Sequence, residues 1–158
     1  MAGTEQHYIM PQAQFDRPVK LLIVVSPYYK DIADNMVAGA IAEIEACGGT
    51  YEIVEVPGAL EIPTAIGMAG RMANFDGFVA LGCVIRGETT HYDIVAFESA
   101  RAIMDLTIAE CLALGNGIQT VENEAQALAR ARKEELNKGG HAASAVLDMI
   151  KLRDQFIA

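Results

Sequence analysis

The run "VKLLIVVS", residues 19–26, decides the fold. A strand with one face in water alternates apolar and polar side chains. This one interrupts its Val, Leu and Ile residues only at Lys20, so both of its faces must be covered. Covering both faces of a sheet calls for helices on each side, and the crossovers between parallel strands supply them.

The segments downstream fit that requirement. Ile32, Met36, Val37, Ala40, Ile41 and Ile44 fall on one face of a helix, which Gly48 and Gly49 end. "TYEIVEV", residues 50–56, alternates and reads as a more exposed strand. "PGALEIP", residues 57–63, turns into a helix reaching about Ala73, with Pro63 tolerable only in the first turn. "GFVALGCVI", residues 77–85, is the most buried-looking strand. A long helix from about Asp93 to Leu114 and a short strand "NGIQTV", residues 116–121, come next. Asn123 with Gln126 resembles a capping box, opening a helix to about Leu136. Gly139 and Gly140 are expected to break that helix before a last one runs to about Phe156. The order βα-βα-βα-βαα predicts an α/β fold with a four-stranded parallel sheet and right-handed crossovers. Residues 1–17 read as an N-terminal tail and residues 18–158 as one domain.

Composition narrows the function. The 158 residues carry a net charge of −9, which argues against a nucleic-acid partner because phosphate backbones need a cationic face. Counted with glycine in place of tyrosine, apolar residues reach about 58%, above the roughly 45–50% of ordinary domains. That excess favours apolar surface covered by another subunit. The three cysteines, Cys47, Cys83 and Cys111, lie far apart without metal-ligand or CxxC spacing, as expected of reduced thiols in a cytoplasmic protein. The N-terminus has no apolar core of a signal peptide, and no run approaches the 18 apolar residues of a membrane span.

On parallel sheets ligands bind beyond the carboxyl ends of the strands. "SPYYK", "PGALEIP", "RGETTHYD" and "ENEAQ" all fall at that edge. In the third, Gly87 suits a tight turn, and Thr89 and Thr90 with nearby N–H groups could hold an anion. His91 carries the side chain that ordinarily changes charge near neutral pH, as acid–base chemistry requires. The same residues equally fit a Thr/Asp-rich helix cap with a surface histidine. Glu61 could complement a helix dipole or accept hydrogen bonds from sugar hydroxyls. Tyr28 could stack on a flat heterocycle or pack on Pro27 or a neighbouring subunit. Arg130, with Arg132 and Lys133, has the composition of a solvated helix face. Neither a P-loop nor a dinucleotide fingerprint is present.

"VPGALEIP", "LGCVIRGETTHYDIV", "GIQTVENEAQALARA" and "NKGG", in this order and spacing, resemble the lumazine synthase family over about residues 21–156. The resemblance implies a flavodoxin-like three-layer sandwich, with an N-terminal strand added to a neighbouring subunit's sheet. It implies condensation of 5-amino-6-(D-ribitylamino)uracil with 3,4-dihydroxy-2-butanone 4-phosphate to 6,7-dimethyl-8-ribityllumazine, the penultimate step of riboflavin biosynthesis. No metal and no organic cofactor is implied. Sites lie between adjacent subunits of a homopentamer, which in some members is doubled to a decamer or repeated into a 60-subunit shell. Riboflavin synthase is the protein partner it suggests.

By position, His91 then takes the proton-transfer role. Glu88 and Thr89 belong to the phosphate-holding turn, and Arg130 is the arginine that pairs with the phosphate. Tyr28 replaces the stacking ring. Ala59, Leu60 and Glu61 form the ribityl-binding turn, while Cys83, Val84 and Ile85 supply the strand edge that reads the pyrimidine. Lys138 is a second cation near the phosphate. Asn116 stands where an aromatic ring of the adjacent subunit often closes the site, and Pro27-Tyr28-Tyr29 replaces a frequent Arg-Phe-Asn. A flavin- or lumazine-binding relative without turnover, or a shell protein whose catalysis has faded, are the alternatives. A receiver-type signalling domain is disfavoured, because the first strand ends in Ser26-Pro27 rather than an aspartate.

Overall fold

The computed structural model describes residues 7–158. Four strands, β1 (Lys20–Val25), β2 (Thr50–Glu55), β3 (Gly77–Ile85) and β4 (Leu114–Val121), form one parallel sheet in the order β2-β1-β3-β4. Five helices enclose it: α1 (Lys30–Ala46), α2 (Ile62–Met72), α3 (His91–Glu110), α4 (Glu124–Ala131) and α5 (Lys138–Ile157). This is the α/β, flavodoxin-like sandwich expected from the sequence.

The unbroken apolar runs have the predicted cause. Leu21, Ile23 and Val25 of β1 join Val79 and Leu81 of β3 in a core under α1, α4 and α5, with Met36, Ile44, Ala127 and Leu147. Leu22 and Val24 join Phe78 and Ala80 in a second core on the opposite face, with Ile62, Ile66 and Ile103. Each buried aliphatic side chain contributes about 1.5–3 kcal/mol of transfer free energy. Strand β2 pairs only with β1 and is largely exposed, as its alternation implied.

Several boundaries differ from the sequence reading. Helix α3 stops at Glu110 because Cys111 turns left-handed at φ 52°, which frees Leu114 to pair with Phe78. Helix α4 ends at Ala131, where Arg132 becomes extended. Gly139 and Gly140 do not break a helix; they form the buried first turn of α5. A Cβ on Gly139 would lie 2.1 Å from the Met36 carbonyl oxygen, so glycine lets α5 approach the backbone of α1. Asn137, left-handed at φ 46°, caps α5 by accepting from the Gly140 amide. Gly87 needs no positive φ, and a Cβ there would meet nothing, so neither backbone nor packing requires glycine at this position.

Of the tail, residues 13–17 are tied down. Ala13 and Phe15 rest on the first core, Lys151 donates to the Gln14 carbonyl, and Arg17 bridges Asp76 and Asp154 at 2.9 Å each. The expected strand exchange involves residues that lie partly outside those described. Ile94, Phe97, Met104 and Ile108 of α3, spaced alternately three and four residues apart across Arg101, are each more than half exposed. No described helix is long and apolar enough to cross a membrane.

Candidate active site

The chain runs from β1 outward to β2, then returns to build β3 and β4 on the other side. Where the direction reverses, the loops after β1 and β3 part and leave a crevice. An open cleft of about 480 Å³ lies there, at the carboxyl ends of the strands.

One wall follows β1. The buried Ser26 amide donates to the Leu81 carbonyl, and its hydroxyl donates to the Pro57 carbonyl, joining this loop to β3 and to the turn after β2. Beyond it, Tyr28 is 75% exposed, and Tyr29 meets it edge to face with centroids 5.0 Å apart. Burial raises the Tyr29 phenol, aided by Tyr28 and Cys83. Tyr29 lines the cleft and was not singled out from the sequence; its only signal was adjacency to Tyr28 after the first strand.

The second wall is the turn after β2. Gly58 is extended, Ala59 to Glu61 form one 3₁₀ turn, and Pro63 lies in the first turn of α2 as expected. Ala59 is buried, while Leu60 and Glu61 open to the cleft. A Cβ on Gly58 would sit 3.0 Å from the Glu61 carboxylate, so glycine leaves that side chain room.

The floor is the end of β3. Strand β1 stops at Val25, whose partner is Leu81, whereas β4 continues alongside β3 to Ile85. Cys83, Val84 and Ile85 therefore keep a strand neighbour on one side only, and their backbone edge on the other side faces the cleft. Backbone donors and acceptors at such an edge suit a flat, hydrogen-bonding heterocycle. Burial pushes the Cys83 thiol up to about 11, so it is neutral at physiological pH and a poor nucleophile. Its alkylation by iodoacetamide is expected to keep accelerating with pH, with no plateau below about 11. A rate already level at neutral pH, read by mass spectrometry, would contradict this.

The third wall is the loop from β3 to α3. Gly87, Thr89 and His91 line the cleft, and Glu88 is exposed in the same turn outside the lining. The Thr89 hydroxyl accepts from the His91 amide at 3.3 Å, while Thr90 makes no side-chain cap. The exposed His91 imidazole thus stands at the N-terminus of a 20-residue helix, where unpaired amides and the helix dipole favour an anion.

Three sequence candidates lie away from the cleft of their own chain. Asn116 is exposed on the edge strand β4, its carboxamide oxygen accepting from the Ile118 amide. Arg130 is half-buried in the last turn of α4 and donates to the Gln126 carbonyl. Lys138 opens α5. No Lys or Arg is among the described residues lining the cleft.

The profile of the 6,7-dimethyl-8-ribityllumazine synthase family matches residues 18–154. "6,7-dimethyl-8-ribityllumazine synthase 1" of Rhizobium meliloti (strain 1021) is 60% identical over 144 residues, covering 88% of this chain and 94% of its own. The synthase of Methylorubrum populi is 60% identical over 139 residues, covering 85% and 82% respectively. That of Bartonella henselae is 54% identical over 142 residues, covering 89% and 92%. With nearly the whole domain matched, the chain belongs to the 6,7-dimethyl-8-ribityllumazine synthase family.

Proposed function

We propose that this cleft is where the protein condenses 5-amino-6-(D-ribitylamino)uracil with 3,4-dihydroxy-2-butanone 4-phosphate, giving 6,7-dimethyl-8-ribityllumazine, phosphate and water. One observation carries the assignment: an exposed histidine at a helix N-terminus shares a cleft with an open strand edge. The pyrimidine lies against the backbone edge of Cys83, Val84 and Ile85 with Tyr28 on its face, and the ribityl chain crosses Ala59, Leu60 and Glu61. Thr89, in the turn with Glu88, and the first amides of α3 hold the phosphate.

The chemistry asks little of side chains. The uracil amine condenses with the ketone to an imine with loss of one water, and phosphate leaves by elimination. The enol so formed tautomerises to a ketone, on which the ribitylamino nitrogen closes the ring with loss of a second water. Holding two reactants in register can lower the barrier by roughly 7–11 kcal/mol. His91 moves protons among the amine, the carbonyl oxygen and the carbon chain. No covalent intermediate with the protein is needed.

A phosphate dianion is best held by an arginine or lysine, and the described residues lining the cleft include neither. Arg130 and Lys138 are therefore contributed by a neighbouring copy, with Asn116 closing the ring site. The exposed apolar stripe of α3 supports a homo-oligomer, and the family resemblance points to a pentamer in the cytoplasm. A polar Asn116 in place of an aromatic ring weakens pyrimidine binding more than chemistry.

Mixing the purified protein with both substrates tests the function: the lumazine chromophore should appear with stoichiometric phosphate. A non-catalytic flavin-binding relative would bind product and form none. Arg130→Ala is expected to raise KM for the butanone phosphate about 10–100-fold, the loss of a charged hydrogen-bonded contact of about 1.5–3 kcal/mol. The uracil KM should stay near wild type. If the uracil KM alone moved, the phosphate role of Arg130 would be wrong.

A further inference from the structure

Arg86 is the cation nearest to His91 in sequence, yet its side chain turns away from the cleft. Its amide donates to the Val121 carbonyl, prolonging the β3–β4 ladder by one bond. Its Nε donates to Glu122 at 2.9 Å, just past the end of β4. Its Nη1 lies 3.5 Å from the Asp93 carboxylate, and the guanidinium sits 4.1 Å from the centroid of the Tyr92 ring, both in the first turn of α3.

The turn it flanks has little else to hold it. Residues 86–91 are all exposed, Gly87 touches nothing with its open side, and the Thr89–His91 bond is long at 3.3 Å. Both ends of that turn meet at Arg86: the strand through its backbone, the helix through its side chain. Only a planar fork can donate to one carboxylate, hold a second at ion-pair distance and stack on a ring at once; an ammonium group is a point charge.

We propose that Arg86 is a positioning residue for the condensation, clamping the first turn of α3 to the end of β4 so that Thr89 and His91 keep their places. This rests on the reading of the cleft given above. Arg86 acts through Glu122, Asp93 and Tyr92 and does not touch substrate. The opposing role is that of a phosphate-binding cation turned into the cleft.

Steady-state kinetics on Arg86→Met, Arg86→Lys, Glu122→Gln and Tyr92→Leu separate the two, with oligomeric state checked by light scattering. Misplacing reacting groups by about 1 Å can cost up to 10²-fold, so kcat is expected to fall about 10–100-fold in Arg86→Met. Arg86→Lys should lose nearly as much, and Glu122→Gln and Tyr92→Leu about 3–10-fold, a few-fold being all that one arm of the clamp contributes. The uracil KM should hold in every variant. A phosphate cation behaves oppositely: Arg86→Lys keeps kcat, and Glu122→Gln, by releasing the guanidinium, lowers the butanone phosphate KM. Either result overturns the proposal. Should the Arg86 variants fail to assemble, the sign of the Glu122→Gln effect decides alone. A wild-type protein that forms no lumazine brings down the functional reading and this proposal with it; an active wild type with indifferent Arg86→Lys brings down this proposal only.

Discussion

Replacing His91 by alanine is expected to lower kcat by about 10²-fold or more while both KM values change little. General acid–base catalysis is typically worth about 10²–10⁴-fold, and no other lining residue combines an accessible position with an imidazole's ability to exchange protons near neutral pH. Glu61 and the Cys83 thiol share the cleft, but the thiol is held protonated and Glu61 belongs to the turn after β2 assigned to the ribityl chain. Stability should barely respond, because His91 is exposed and its amide bond to Thr89 survives the substitution. Activity will not vanish, since positioning supplies much of the rate and is untouched. Single-turnover measurements on His91→Ala, beside light scattering of the assembly, check both halves. An unchanged kcat would remove His91 from proton transfer.

The second large effect concerns stability. Gly139→Ala should cost about 3 kcal/mol, at the upper end of overpacking penalties. The added Cβ would meet the Met36 carbonyl oxygen at 2.1 Å and its carbonyl carbon at 2.8 Å. Backbone cannot rotate aside as a side chain can, so α5 must lift from α1. Lifting it disturbs Met36, Leu147 and the rest of the core beneath. A drop in Tm of roughly 6–12 °C follows for a domain of this size. Gly87→Ala is the control: its Cβ meets nothing, so Tm should move by less than about 2 °C, as for an ordinary surface change. Equal shifts in the two variants, read by differential scanning calorimetry, would show that the α1–α5 approach is not what Gly139 provides.

The two glycine positions also mark where sequence reading stops. Gly139 and Gly140 were expected to end a helix, because glycine is flexible and punctuates helices. Which meaning a glycine carries depends on what stands opposite it, and Met36 is about a hundred residues away in the chain. Asn123 was more legible. Its side chain accepts from the Gln126 amide at 2.9 Å, and Gln126 returns the contact to the Glu122 amide at 2.8 Å. Such a cap is built within five residues and needs no tertiary partner. The premature end of α3 at Cys111, in a left-handed conformation, had no local sign, since cysteine has no preference for it.

The candidate site divides in the same way. Tyr28, Ala59, Leu60, Glu61, Cys83, Val84, Ile85, Thr89 and His91 gather in one cleft because every parallel strand ends at the same edge. Tyr29 joined them unannounced, since only the packed loop reveals which ring turns inward. Arg130, Lys138 and Asn116 were legible as residue types, but one folded copy leaves them elsewhere.

Apolar patterning by itself determined the sheet, its parallel sense and the edge where the chemistry lies. Burial on two faces leaves unbroken runs, and burial on one leaves alternation, and both are readable along the chain. Tertiary structure alone decided that Arg86 grips Glu122, Asp93 and Tyr92, that Gly139 touches Met36, and that no Lys or Arg is among the described residues lining the cleft. Those contacts join residues distant in sequence or depend on which way a side chain points, and neither is encoded in spacing.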